Sequence, residues 1–539
     1  MPGDLAERAD PDIDVLIVGA GPTGLTLAAQ LAVYGARFRL VDRLLDRVHE
    51  SRALGVQPRS LEVLAGLGVA DELVECGNRA VRAQLHFPRR VVPVRLFDIG
   101  VDDTAYPYLL FVSQAETERI LGEYVTRRGG TIERGVEVIE LVQTSRSVWC
   151  LLRDRDGRDE RVNARYVVGC DGAHSTVREQ AGIAFEGSAY PQTFVLADLE
   201  ADGIEPDLVH AFISPRGILF FFPLGSPATW RILAMRPDAV EPAAGITLAE
   251  VQALVNAYVT MPVRLRDPAW MTNFRLHNRG AAHYRAGRVF LAGDAAHIHS
   301  PAGAQGMNTG IQDSVNLGWK LALVATGVAD PALLDSYEPE RAPVGRAVLR
   351  FTDRVFTVGT SRNRLLGFVR AQIVPWLAPL VLRGKAGRRS GFRMVSQLGV
   401  RYRNSPLSVE GADAPRRGPR AGDRLPDAPI IDDGRPSTLH RALAAPGFHL
   451  LLCGPTDAWS ADVAGFVSGY RDLVTMHHLT RDQGVAGLLT DDSGVALERV
   501  GVADSPAHLL VRPDGYLAYR GGRDLTGLGG YLEDWLPSS

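Results

Sequence analysis

Cysteine is scarce in this chain of 539 residues. Four occur, Cys76, Cys150, Cys170 and Cys453, too far apart for a disulfide framework or for the paired spacing of a zinc site. Lysine is scarcer: Lys320 and Lys385 stand alone among 59 basic residues, so the positive charge is almost all arginine. A bias that runs through the whole chain reflects a GC-rich coding sequence rather than one binding site. No excess of either charge exists; a formal net charge of -3 argues against a dedicated nucleic-acid binder or a polybasic membrane partner. Long apolar runs are also missing. Ile373 to Leu382 is short and interrupted by prolines, so it does not span a bilayer, and Met1 to Asp12 lacks the apolar segment of a signal peptide. What remains is an ordinary globular composition, 46% hydrophobic and 22% charged. The length calls for about two to four domains. The expectation is a soluble, cytoplasmic, multidomain protein with no nucleic-acid partner, no membrane partner and no metal.

The first informative segment is Asp14-Val-Leu-Ile-Val-Gly-Ala-Gly-Pro-Thr-Gly-Leu25. Val15 to Val18 reads as a buried parallel strand that runs into Gly19, Gly21, Pro22, Thr23 and Gly24 with GxGxxG spacing. A helix-forming stretch, Leu25 to Tyr34, follows, and a second apolar run, Phe38 to Val41, ends in Asp42. In such a βαβ unit the first glycine makes the tight turn, the second lets a pyrophosphate approach, and the third lets helix and strand pack. The helix N-terminus offers free N–H groups to the phosphates. Asp42 sits where a carboxylate accepts hydrogen bonds from an adenosine ribose. This fingerprint points to a dinucleotide but does not choose between FAD and NAD.

Two later segments repeat one theme. Tyr166 to Arg178 is a buried strand ending in Asp171-Gly172, with Ser175 able to cap the next helix. Arg288 to His297 is another, ending in Gly293-Asp294, and it continues through Ser300 to Gly310 into a helix carrying Ile311, Val315, Trp319 and Leu323. A carboxylate at a strand end before a Gly-rich, helix-opening loop delivers backbone N–H groups to an anionic or polar ring edge.

Together these segments resemble the class A flavoprotein monooxygenases, the aromatic hydroxylases related to p-hydroxybenzoate hydroxylase and phenol hydroxylase. The resemblance covers roughly residues 13 to 350. It implies that GxGxxG binds the ADP part of FAD, that Asp171-Gly172 is the DG motif serving FAD and the nicotinamide cofactor, and that Asp294 of the GD motif binds the flavin ribityl chain. Pro301 and Gly303 to Asn308, which include Gly306 and Met307, match the loop around the isoalloxazine ring. Ala304 departs from the pattern, since relatives often carry glycine there, and an alanine needs an acceptable φ. By position, Arg52 matches an arginine near the flavin and Gln114 a glutamine beside the ribityl chain. Arg43 and Val138 are weaker candidates for contact with the adenosine part.

The implied fold class is α/β, with a Rossmann-type FAD-binding domain over residues 1–184 and 286–400. An inserted β-sheet substrate domain would span 185–285, a linker 401–420, and a thioredoxin-like domain 421–539. Between the DG and GD motifs, Thr193 to Leu199, Val209 to Ile213, Gly217 to Leu224 and Thr229 to Met235 are β-prone runs. Phe220, Phe221 and Phe222 invite a ring-stacking role, but alternation sends about half of such a run into a core. His210, Trp230 and Met235 carry the same ambiguity. In the last third, Phe448 to Leu452 runs into Cys453-Gly-Pro-Thr456, and Asp514-Gly515 marks a hairpin turn. Thr456 stands where a redox pair needs its second sulfur, so a structural or dimer-forming domain is expected.

The resemblance further implies a cycle in which NADPH or NADH reduces FAD, O2 adds to give a C4a-hydroperoxide, and one oxygen passes to an electron-rich aromatic ring. The substrate class is phenolic or polycyclic polyketide-like, as in antibiotic biosynthesis, and a homodimer is compatible with it. No catalytic base can be named from the sequence. Baeyer–Villiger oxidation, epoxidation, a reductase or dehydrogenase without oxygen transfer, and a non-catalytic flavin-binding protein are the alternatives.

Overall fold

The computed structural model describes residues 10–47, 53, 55–80, 82–95, 101–214, 217–225, 228–236, 245–299, 304–360, 385–459, 468–470, 473–482, 487–502 and 505–536. The first sheet is parallel at its centre. Its strands run in the order Val289–Leu291, Asp159–Gly169, Ile13–Val18, Phe38–Asp42, Ile132–Arg134. Ile13–Val18 reads as a continuous apolar run because both its faces are covered, and Val15, Leu16 and Ile17 are fully buried. The register aligns Val18 with Gly169 and Val41, and Gly169 with Leu291. The carboxyl ends of these strands therefore lie side by side, where open α/β sheets bind their ligands. Two antiparallel strands, Val136–Gln143 and Val148–Asp154, extend the sheet beside Asp159–Gly169.

A second, mostly antiparallel sheet has the order His297–Ile298, Arg264–Ala281, Phe185–Asp202, Trp230–Met235, Gly217–Pro223, Val209–Ser214, Arg82–Phe87, Arg90–Arg95. The four β-prone runs are strands here, but the sheet is larger than they suggest. Its longest pairing joins Phe185–Asp202 to Arg264–Ala281, and two strands arrive from residues 82–95 through a parallel pairing. Arg264–Ala281 is rich in arginine and asparagine and alternates poorly, so pairing rather than patterning makes it a strand. One face is covered by the helix Leu248–Tyr258, which Thr247 and Glu250 start with a capping box.

The third sheet contains Leu517–Gly521, Ala507–Val511, Phe448–Cys453 and Val474–Thr480 as neighbours. Phe448–Cys453 is parallel to Val474–Thr480 and antiparallel to Ala507–Val511, which turns back on Leu517–Gly521 at Gly515 (φ 76°). This is a thioredoxin-like order. Cys453 is fully buried and its thiol is pushed up by burial, the opposite of a reactive thiolate. This sheet shares its core with the first: the Trp319 and Phe448 rings meet edge to face at 5.5 Å. Among the described residues no helix is long and apolar enough to cross a membrane.

Candidate flavin and substrate site

The sequence motifs converge at the carboxyl edge of the parallel sheet. Gly19 has φ +103°, and a Cβ there would lie 2.9 Å from Asp171 Cα and closer still to Cys170 O. The turn between the first strand and its helix is thus pressed against the DG motif. Gly293 is pressed against the same loop, because its Cβ would come 2.5 Å from Thr23 Oγ1, and a Cβ on Gly310 would meet that oxygen too. By contrast, nothing lies within 4 Å of a Cβ placed on Gly21. The pattern is tight where the backbone must pack and open where a pyrophosphate would approach. The helix Pro22–Val33 starts there with Pro22 in its first turn, and no side chain caps it.

Asp42 holds this loop as well as facing it. Its Oδ2 accepts from Ala20 N at 2.7 Å and its Oδ1 from Leu44 N at 2.8 Å, with Arg134 3.5 Å away. Arg43 is exposed, whereas Val138 packs into the main core, so only its backbone is available to a ligand. Asp171 Oδ2 accepts from Val177 N at 3.1 Å, while its Oδ1 is buried without a hydrogen-bond partner among the described residues. Burial raises the Asp171 carboxyl. An orphaned buried acceptor at this edge fits a ligand that brings a donor. Asp294 is exposed on a single 3₁₀ turn, Gly293–Ala295.

Gly306, Met307 and Asn308 form the first turn of the helix Gly306–Ala325 rather than an extended loop. Asn308 explains why the helix begins early. Its amide nitrogen donates to Gly55 O and Ala304 O at 2.7 Å each, and its Oδ1 accepts from Gln57 N at 2.7 Å. The side chain thus staples the helix to the strand Gly55–Val56, leaving the backbone N–H groups of the first turn for a ligand. Ala304 adopts φ +53°, the left-handed region where glycine is at ease. Gln114 Oε1 accepts from Ala53 N at 3.3 Å and its Nε2 donates to Glu118 at 2.9 Å. Arg52, Pro301 and Gly303 lie outside the described residues.

The face of the second sheet opposite its helix is turned toward this edge. Phe222 meets Phe111 at 5.7 Å, and Tyr190 Oη donates to Asp353 at 2.6 Å. Alternation sorts the three phenylalanines: Phe221 is buried under the helix, while Phe220 and Phe222 stack on each other at 5.4 Å, half-buried, on the inward face. Trp270 and Phe274 share that face, half-buried. Of the ambiguous residues, His210 and Trp230 belong to the helix-covered side, and Met235 is buried on the inward face.

The sequence did not reveal the ion pair on this face. Arg231 and Asp198 are both fully buried and joined by two bonds of 2.6 Å; Trp270 Nε1 donates to Asp198 at 2.8 Å and Arg231 Nη1 donates to Ala53 O at 2.7 Å. Their spacing in the chain carried no signal, because the strands that pair them are not hairpin neighbours. A separate cavity of about 160 Å³ lies between the helix Pro58–Ala65 and the hairpin turn at Pro513 to Gly515. None of the candidate cofactor-binding residues lines it.

The chain is similar to known proteins along almost its whole length. Residues 12–352 match the model of an FAD binding domain and residues 418–538 that of an aromatic-ring hydroxylase C-terminal domain. The 6-methylpretetramide 4-monooxygenase of Streptomyces rimosus is 35% identical over 95% of this chain and 91% of its own. The pentachlorophenol 4-monooxygenase of Sphingobium chlorophenolicum is 32% identical over 97% of this chain and 95% of its own. Aklavinone-11 hydroxylase, solved with FAD and aklavinone, superposes with a TM-score of 0.78 at 27% identity, covering 98% of this chain and all of the other. The chain belongs to the FAD-dependent aromatic-ring hydroxylases. It is an enzyme, a flavoprotein monooxygenase of the p-hydroxybenzoate and phenol hydroxylase type.

Proposed function

We propose that the protein uses NADPH or NADH and O2 to hydroxylate a planar, multi-ring phenolic substrate of the polyketide kind. The observation that carries this reading is the inward face of the second sheet. Its stacked Phe220 and Phe222, with Trp270 and Phe274, offer aromatic surface left half-buried. The charged pair on that face, Asp198 and Arg231, is satisfied internally, so it offers no ready partner to a small aromatic carboxylate. Shape and stacking would then select the substrate. The relatives named above are named for 6-methylpretetramide, pentachlorophenol and aklavinone, which supports a ring substrate without choosing one.

Bound FAD would carry the reducing equivalents from the nicotinamide to O2 and present the activated oxygen. The chain's own groups bind, orient and shield. The N-terminus of Pro22–Val33 and the open side of Gly21 would receive the pyrophosphate, with Asp42 toward the ribose. Asp171, Asp294, Gln114 and the first turn of Gly306–Ala325 would hold the remainder, along with Arg52, Pro301 and Gly303 by sequence position. The aromatic face would exclude water from the reacting ring. We further infer a discontinuous FAD-binding domain, 1–184 with 286–400, a substrate domain centred on 185–285, and a C-terminal domain from 421.

The test is nicotinamide oxidation by FAD-loaded protein with simple phenols and with polycyclic naphthoquinones or anthraquinones, under ¹⁸O2 with mass readout of products. Substrate-stimulated oxidation with one labelled oxygen in a hydroxylated polycyclic product is expected. Label in a ring-expanded ester or an epoxide would redirect the reading to another oxygen insertion. Turnover without label would favour a reductase.

A further inference from the structure

The helix Gly306–Ala325 is buried from Asn308 to Ala325, yet it carries a polar stripe. Thr309, Gln312, Asp313, Asn316 and Lys320 recur at helical spacing on it, all fully or almost fully buried. A core helix tolerates such a stripe only if every group finds a partner. The lower half is satisfied by Glu340 and the C-terminal hairpin: Lys320 donates to Glu340 at 2.7 Å, Asn316 Nδ2 to Asp514 at 3.2 Å, and Arg512 to Glu340 Oε1 at 2.6 Å and Oε2 at 2.9 Å. The upper half leads to the GD turn.

We propose that Asp313 is a positioning residue for the flavin site and that the C-terminal region sets its orientation through Tyr402 and Arg341. Asp313 Oδ2 accepts from Gly293 N at 3.1 Å and from His297 Nε2 at 2.7 Å, so one carboxylate grips both ends of the turn that presents Asp294. Its Oδ1 accepts from Arg341 Nε at 2.7 Å. Arg341 in turn donates to Thr309 O, in the first turns of the same helix, at 3.1 Å and to Tyr402 Oη at 2.8 Å. The Tyr402 ring packs on Tyr516, beyond the hairpin turn, at 4.2 Å. Asp313, Arg341 and His297 are wholly buried, so water cannot substitute for a lost bond. A carboxylate suits the place because it only accepts, and three donors converge on it. An asparagine would turn its NH2 toward either the guanidinium or the turn. The C-terminal domain thus braces the flavin site instead of hanging from it.

The inference rests on the reading of Gly293-Asp294 as part of that site. FAD affinity, flavin absorption and midpoint potential would be measured for Asp313→Asn, Arg341→Lys and Tyr402→Phe, with Lys320→Met as the control. Lys320 shares the stripe, but among the described residues its ammonium bonds only Asn316 and Glu340. Asp313→Asn and Arg341→Lys should bind FAD at least tenfold more weakly and shift the flavin spectrum and potential, and Tyr402→Phe should do so to a smaller extent. Lys320→Met should lower the melting temperature while keeping FAD affinity within twofold. If Asp313→Asn does not fold, Arg341→Lys and Tyr402→Phe report the same quantities. Unchanged affinity and potential in the first three variants would overturn the proposal, as would equal loss of FAD in Lys320→Met. Asp294→Ala separates the two levels: if it keeps its FAD the motif reading falls, and if it alone loses FAD only the role of Asp313 falls.

Discussion

Glu118 is a carboxyl that burial keeps partly protonated at neutral pH. It is 2% exposed on the inner face of the helix Gln114–Arg127, with one hydrogen bond among the described residues, from Gln114 Nε2 at 2.9 Å. Burial dominates and raises its pKa from 4.5 to about 7, with Asp42 adding to the rise and Gln114 and Arg134 opposing it. The unfolded chain releases this proton near 4.5, the folded chain only near 7. The group therefore costs nothing below about pH 4.5, and stability falls as pH rises through that window to about 7. At roughly 1.4 kcal/mol per pH unit the full loss is about 3 kcal/mol. Glu118→Gln removes the ionisation and keeps an oxygen for Gln114. Its advantage over wild type should be about 0.8 kcal/mol at pH 5 and approach about 3 kcal/mol at pH 8. The assay is a pair of denaturation series at both pH values, with FAD held at the same large excess over its dissociation constant. A gap that stays constant between pH 5 and pH 8, or narrows, would refute the reasoning.

Other perturbations follow from the same geometry. Gly24→Ala would drive a methyl into Gly19 O, so FAD binding should fall by at least about tenfold in a fluorescence titration, since the loop must shift. Ala304→Gly relieves a left-handed alanine and should stabilise by about 0.5–1 kcal/mol, net of the glycine's greater unfolded entropy; a lower melting temperature would contradict this. Asp198→Leu leaves Arg231 buried and unpaired and should cost about 3–5 kcal/mol, whereas Asp198→Leu with Arg231→Met should cost far less than the two single changes summed. Additive losses in that double-mutant cycle would mean the pair is not coupled.

Much of the site was readable from local chemistry. Gly19 and Gly24 announced a tight turn and a close helix–strand approach that the fold makes, because both belong to the turn and helix start that follow an apolar strand. Asp514-Gly515 announced its hairpin for a similarly short-range reason, a turn that needs positive φ. The helix Leu248–Tyr258 was legible too, through Thr247 and Glu250, and went unread among the β-prone runs. Asn308 was expected beside a cofactor, but its stapling role was not legible, since its three partners are Gly55, Gln57 and Ala304.

By itself the sequence determined the parallel dinucleotide-binding sheet, the class of cofactor and the presence of a dithiol-free C-terminal domain. These depend on glycine spacing, strand periodicity and a missing sulfur, all properties of neighbouring residues. Tertiary structure alone decided which phenylalanines face away from the covering helix and that the strands of residues 82–95 join the second sheet. It also decided that Asp198 meets Arg231 and that Asp313 grips the GD turn. Those outcomes depend on pairings across 16 to more than 100 residues of chain. Only the burial created by folding makes a charge need one particular partner.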